Sequence, residues 1–206
     1  MRRHLIATAL ATALIASTTG ALAAYTAPAT TLTGVTSGNY TVDGSHTNVL
    51  FNLTHMGFSR YYGRFNKVDG TLKFDAANPE KSTLAITIDA ASVDTNNAKL
   101  EEELKGAQWF DAAKFPTITF TSTSVKKLTD TTGQVSGNLT LHGVTKPVTL
   151  SVTFNGAGKN PIMGAEQLGF SATAAIKRSD FGVSQYVPMV GDDVTLTIES
   201  ELHLAK

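Results

Sequence analysis

Apolar residues recur at every second position in several stretches of this chain, and that period constrains the fold more than any other feature. Val49, Phe51 and Leu53 alternate with Asn48, Asn52 and Thr54. Leu84, Ile86 and Ile88 alternate with Ala85 and Thr87, and Val148, Leu150, Val152 and Phe154 with Thr149, Ser151 and Thr153. Val194, Leu196, Ile198 and Leu202 repeat the pattern near the end. Side chains of a strand point to opposite faces in turn, so each stretch reads as a strand with one apolar face. Similar runs cover residues 61–74, 117–127, 133–141 and 168–177. About eight strands suit a closed up-and-down antiparallel barrel, and the fold class is all-β. The 30 threonines agree, because a β-branched side chain packs well on a pleated sheet.

One segment breaks the period. Between residues 94 and 116, Leu100 and Leu104 have helical spacing, Thr95 or Asn96 is placed to cap the start, and Gly106 suits the end. Glu101, Glu102 and Glu103 are expected to face water. Trp109, Phe110 and Phe115 follow, with Pro116 before the next strand. A short aromatic-rich helical insert must be buried somewhere, and covering one opening of the barrel would bury it.

Residues 1–23 have the order of a secretory signal. Arg2 and Arg3 precede an apolar run over 5–16, and Ala21-Leu22-Ala23 forms a small-residue cleavage site. The run is short for a membrane span, which needs about 20 apolar residues. Residues 24–38 carry little to bury and read as a flexible leader, and 39–206 as one barrel domain. The expected location is the periplasm. The whole chain has 17 basic and 17 acidic residues, which argues against a nucleic-acid partner. It has no cysteine, which excludes disulfides and thiol chemistry.

Motifs for catalysis are weak. Asp43, Ser45 and His46 lie within one turn, without the G-x-S-x-G elbow of a hydrolase. Asn66-Lys67-Val68-Asp69 lacks a phosphate loop, and Asp180-Phe181-Gly182 lacks the other kinase elements. The sequons at Asn52 and Asn138 fall inside expected strands. His46, His55, His142 and His203 form no metal-ligand spacing, so no metal is expected and the histidines read as structural. The phenylalanines are spread over many strands. They can fill a small barrel or line a ligand cavity, and periodicity does not choose between the two.

Four blocks, in order, resemble the YceI-like proteins. The first runs from Asp43-Gly44-Ser45-His46 through His55-Met56-Gly57-Phe58-Ser59 to Gly63-Arg64-Phe65. The second is Phe115-Pro116-Thr117-Ile118-Thr119-Phe120, the third Gly137-Asn138-Leu139-Thr140-Leu141-His142-Gly143, and the fourth Arg178-Ser179-Asp180-Phe181-Gly182-Val183. The resemblance implies a lipocalin-like extended barrel in the bacterial periplasm. It implies a polyisoprenoid, or an isoprenoid quinone, bound as ligand with no catalytic cofactor. The chain departs from the family in its insert. An Arg-Asp-x-His-Leu element is often found where this chain has Leu100-Glu101-Glu102-Glu103-Leu104, so any polar role of the lost Arg and His is in doubt. Thr47 stands where Ser is usual.

The resulting expectation is a non-enzymatic carrier. Phe51, Leu53, Phe65, Phe120, Leu139, Leu141, Phe154, Phe170 and Ile176 are expected to line its cavity. Met56, Phe58, Trp109, Phe110 and Phe181 are expected at the mouth or lid, with Arg60, His142 and Arg178 as candidates to meet a polar head. Two alternatives stay open: a quinone-handling partner of a membrane redox protein, and an enzyme acting on an isoprenoid. Transient membrane contact and a homodimer through edge strands are likewise open.

Overall fold

The computed structural model describes residues 26–205, so the expected signal segment lies outside the described residues. The chain forms a closed eight-stranded antiparallel β-barrel with one short α-helix. Each of the first three staves is interrupted once. β1 (Gly38–Val42) and β2 (Asn48–His55) make the first, β3 (Ser59–Phe65) and β4 (Val68–Phe74) the second, and β5 (Thr83–Asp89) and β6 (Val93–Asp94) the third. The remaining staves are β7 (Thr117–Lys127), β8 (Thr132–Leu141), β9 (Val144–Lys159), β10 (Glu166–Lys177) and β11 (Asp193–Leu204). The run expected over 61–74 as one strand is therefore two.

Neighbours in sequence are neighbours in the sheet, and β11 closes the ring. It pairs with β10 from Asp193 to His203 on one side. On the other it pairs first with β2, Leu196 opposite Phe51, and then with β1, Leu202 opposite Val42. Local chemistry sets the tight turns. His142 and Gly143 both take positive φ, at 51° and 75°, which a two-residue hairpin between Leu141 and Val144 requires.

Helix α1 (Ala98–Lys105) sits between the third and fourth staves. Its cap is Asn97, whose Oδ1 accepts from the Leu100 N–H at 3.2 Å, and not Thr95 or Asn96 as the sequence suggested. Asn96 instead occupies a left-handed position at φ 57° in the turn after β6. Glu101 does not simply face water: its Oε1 accepts from the backbone N–H groups of Thr95 and Asn97. Gly106 ends the helix as expected. The insert is anchored where it leaves the sheet. Asp94 accepts from the Asn96 N–H, the Asn66 amide and the Arg64 guanidinium, and these donors hold its carboxyl near 2.

The break between β1 and β2 is stapled by Asp43. Its carboxylate accepts from the Ser45 N–H at 2.9 Å and lies 2.6 Å from His46 Nδ1. Burial raises its pKa, but the hydrogen bonds from Ser45 and His46 outweigh burial and bring it down to about 2. The same pairing raises the pKa of His46. A carboxyl depressed in the folded state stabilises above its unfolded pKa, near 3.9, and loses that contribution as pH falls through about 2. The raised imidazole works the other way: its share is present below about pH 6.5 and fades as pH climbs above the folded value. Urea titrations should therefore show wild type losing on the order of 2 kcal/mol between pH 5 and pH 2 through this site. Asp43→Asn should be weaker at pH 5 and lose that much less on acidification. Parallel losses in the two proteins would contradict the assignment.

Candidate functional site

An apolar cavity of about 230 Å³ runs inside the barrel, and all eight staves contribute to its wall. An engineered 150 Å³ apolar cavity in another protein stays dry and binds benzene, so a space of this size and lining favours an apolar guest over water. The wall is the set of alternating positions read from the sequence. Val148, Leu150, Val152 and Phe154 of β9 all face in, as do Leu84, Ile86 and Ile88 of β5 and Leu196, Ile198 and Leu202 of β11. Polar side chains in mid-wall satisfy one another: Thr47 Oγ1 and Ser200 Oγ are 3.0 Å apart.

The two ends of the barrel differ. At one, the cavity reaches Lys127 at the end of β7 and Pro79, Ser82, Thr129, Asp130 and Thr131 in the loops after β4 and β7. This end is open. The opposite end is filled by the insert and by residues 178–192. Phe51 packs on Phe65 at 5.7 Å between ring centroids, and Phe65 on Phe110 of the insert at 5.5 Å. Trp109 and Phe181 are both buried.

A polar clamp holds that closed end. Arg178 is buried, and its guanidinium donates to the carbonyls of Gly191, Val183, Gln185 and Val190 at 2.7–2.9 Å. It also lies 5.3 Å from the Trp109 ring centroid. Trp109 Nε1 in turn donates to Glu103 of α1. Burial lowers the Arg178 pKa, opposed by the Asp192 carboxylate.

Of the expected cavity residues, Phe120, Leu139, Phe154 and Phe170 line the wall. Phe51, Leu53, Phe65, Leu141 and Ile176 do not. They sit toward the closed end, where the insert fills the bore. The Phe51 ring lies flat over Gly63 on the neighbouring strand, where any Cβ would collide with it. Trp109, Phe110 and Phe181 form the plug of the closed end and not a mouth. Met56 and Phe58 are exposed in the turn between β2 and β3, with the Phe58 side chain in solvent.

The three head-group candidates have other tasks. Arg178 is the internal clamp. Arg60 donates to Asn52 Oδ1 and Thr195 Oγ1 across the outside of the sheet. His142 meets the Phe181 carbonyl at 3.2 Å and the Phe115 ring edge-on at 5.0 Å. The residues that sequence reasoning did not select include Val42, Val68, Leu72, Phe74 and Leu32, although the first four share the alternation that would have found them. Asp43, His46 and Glu201 form a His–carboxylate group whose ligand atoms lie within 4.8 Å of one another. They are outside the cavity wall, and Asp43 and His46 act as the staple described above.

Comparison with known proteins bears on this geometry. The profile of the YceI-like domain matches residues 40–202. Protein YceI of Salmonella arizonae is 42% identical over 167 residues, covering 80% of this chain and 86% of the relative. Burkholderia cenocepacia BcnA superposes with a TM-score of 0.71 at 28% identity, over 78% of this chain and 98% of that one. A Saccharophagus degradans domain shares the fold, with a TM-score of 0.63 at 15% identity over 81% of this chain and 98% of that one. It is described as a polyisoprenoid binding domain implicated in plant cell wall breakdown.

The clamp makes a direct prediction. Arg178→Lys keeps the charge but cannot reach four carbonyls with one fixed fork. Two or more buried acceptors left without donors should cost about 2–4 kcal/mol in denaturant unfolding. A loss under 1 kcal/mol would contradict the clamp.

Proposed function

We propose a lipid-binding role from two premises: the chain belongs to the YceI-like family, and its barrel holds an apolar cavity open at one end. The chain encloses the hydrocarbon of a polyisoprenoid or a similar long-chain lipid, and carries or sequesters it in the periplasm. The single observation that carries this reading is the cavity, lined from every stave by Val, Leu, Ile and Phe and bordered by ionised side chains only at its mouth. A closed eight-stranded ring whose interior is not filled by its own side chains has room for one slender apolar guest. The fold neighbour described as a polyisoprenoid binding domain supports the ligand class.

Magnitudes favour the same reading. Each methylene moved from water into such a wall gains about 0.8 kcal/mol, so one five-carbon isoprene unit is worth roughly 4 kcal/mol before costs. Ordering the chain and losing its free motion offset several kcal/mol, and micromolar binding needs about 8 kcal/mol net, so three or four enclosed units are enough. Among the described residues, the polar groups of the closed end are engaged within the protein. Arg178 is fully engaged with backbone, and the Ser45 N–H, not a serine nucleophile, is what meets Asp43.

Ala172 provides the test, because it is a small residue on the cavity wall. Ala172→Phe should fill part of the bore and leave the surface unchanged. Geranylgeraniol should displace a bound fluorescent naphthylamine from wild type and bind the variant at least tenfold more weakly, with both proteins melting cooperatively. Equal affinity in a folded Ala172→Phe protein would overturn the cavity as the binding site.

A further inference from the structure

We infer that a polar groove at the open end, formed in part by the N-terminal leader, receives the head of the bound lipid, and that this head is uncharged. The inference rests on the lipid-binding reading and deepens it. An amphipathic guest with its chain in the bore must place its polar end where polar atoms are available, since burying an unpartnered polar group costs several kcal/mol. Among the described residues, the cavity meets ionised side chains only at the open end, beside the hydroxyls of Thr129, Thr131 and Thr132.

The leader shapes what lies beyond that mouth. β9 extends past the start of β8, whose last pairing is Thr132 with Thr153 and whose preceding Thr131 carbonyl accepts from the Phe154 N–H, so residues 155–159 of β9 would present a bare edge. Ala29 covers it with two backbone hydrogen bonds to Ala157, at 2.8 and 2.9 Å. The leader then crosses the mouth, and the Thr36 carbonyl accepts from the Tyr40 hydroxyl at 2.7 Å while Ser37 Oγ accepts from the Ala76 N–H. Between these anchors, Leu32 borders both the apolar cavity and a second, polar groove. Thr31, Thr33, Lys127 and Asp130 line that groove, and Lys127 and Asp130 also border the cavity. A chain leaving the bore past Leu32 therefore enters a polar chamber.

The charge in that chamber selects the head. Lys127 Nζ donates to Asp130 Oδ1 at 2.8 Å, and the Lys127 backbone N–H donates to Glu80 Oε1 at 3.2 Å. The two ionised side chains that border both the cavity and the groove, Lys127 and Asp130, thus neutralise each other. A phosphate or diphosphate needs an excess of donors and positive charge, with Arg forks or unpaired Lys. A hydroxyl or a carbonyl needs only single hydrogen bonds, which the threonines and Lys127 supply. The leader's share of this chamber precedes the region matched by the family profile, which begins at residue 40.

Three probes with one C15 chain separate the possibilities: farnesol, farnesyl diphosphate and the hydrocarbon farnesene. Farnesol should bind at least tenfold more tightly than the diphosphate and should shift backbone amide NMR signals of residues 31–37 and 127–131. Asp130→Asn, which frees the Lys127 charge, should improve diphosphate binding at least threefold and leave farnesol within twofold. Binding of the probes with farnesol shifts centred on His142 and Arg178, or tighter binding of the diphosphate by wild type, would overturn the head-group chamber while leaving the cavity reading in place. Failure of all three probes to bind would overturn the cavity reading itself.

Discussion

The pairing of β11 with both halves of the first stave is the constraint from which the rest of this molecule follows. β11 meets β2 and then β1 along one edge and β10 along the other, so the sheet has a distinct inside. Closure satisfies the backbone donors and acceptors that an edge would leave bare. It also commits every second residue of eight staves to one shared interior. The side chains at those positions are mostly Val, Leu, Ile and Phe, and they do not fill it. The cavity is a consequence of closure at this strand number with these residues.

Closure alone would leave two equivalent openings, and the insert between β6 and β7 removes the equivalence. Its aromatics have to be buried, and the bore is where they are buried. Phe110 meets Phe65, while Trp109 lies between the Glu103 carboxylate and the Arg178 guanidinium. The four carbonyls gathered by Arg178 come from residues 183–191, so one cation organises a loop that has little regular structure. The opposite end has short hairpins, threonines and a leader that lies across them. One end is therefore structural and the other is available to a guest. The orientation of any bound lipid follows from that asymmetry.

Much of this was legible in the sequence, and the failures have a physical pattern. Period two reports which face a residue occupies, and it placed the β9 residues Val148 to Phe154 correctly on the inner face. It does not report depth along the barrel axis. Phe51 and Phe120 look alike in sequence. One lies over Gly63 in the plug and the other faces the cavity, because the insert reaches only one end. Arg178 was a candidate to meet a polar head, and in the structure it is buried among backbone carbonyls. Its burial depends on loop carbonyls 5 to 13 residues away in sequence, which leave no local signature. The cap of α1 moved by one or two residues to Asn97 because Asn96 was needed in a left-handed turn. The leader's role was also out of reach. Its composition is poor in apolar residues, and what holds it is an edge of β9 that exists only because β9 outruns β8.

The central claim is that the barrel's interior exists to hold a long apolar chain. Mass spectrometry of the organic extract from this protein, recovered from its native cells without detergent, tests it most directly. The account predicts a near-stoichiometric isoprenoid lipid bearing an uncharged head. An extract with no lipid, from protein that also fails to take up added prenyl alcohols, would contradict it.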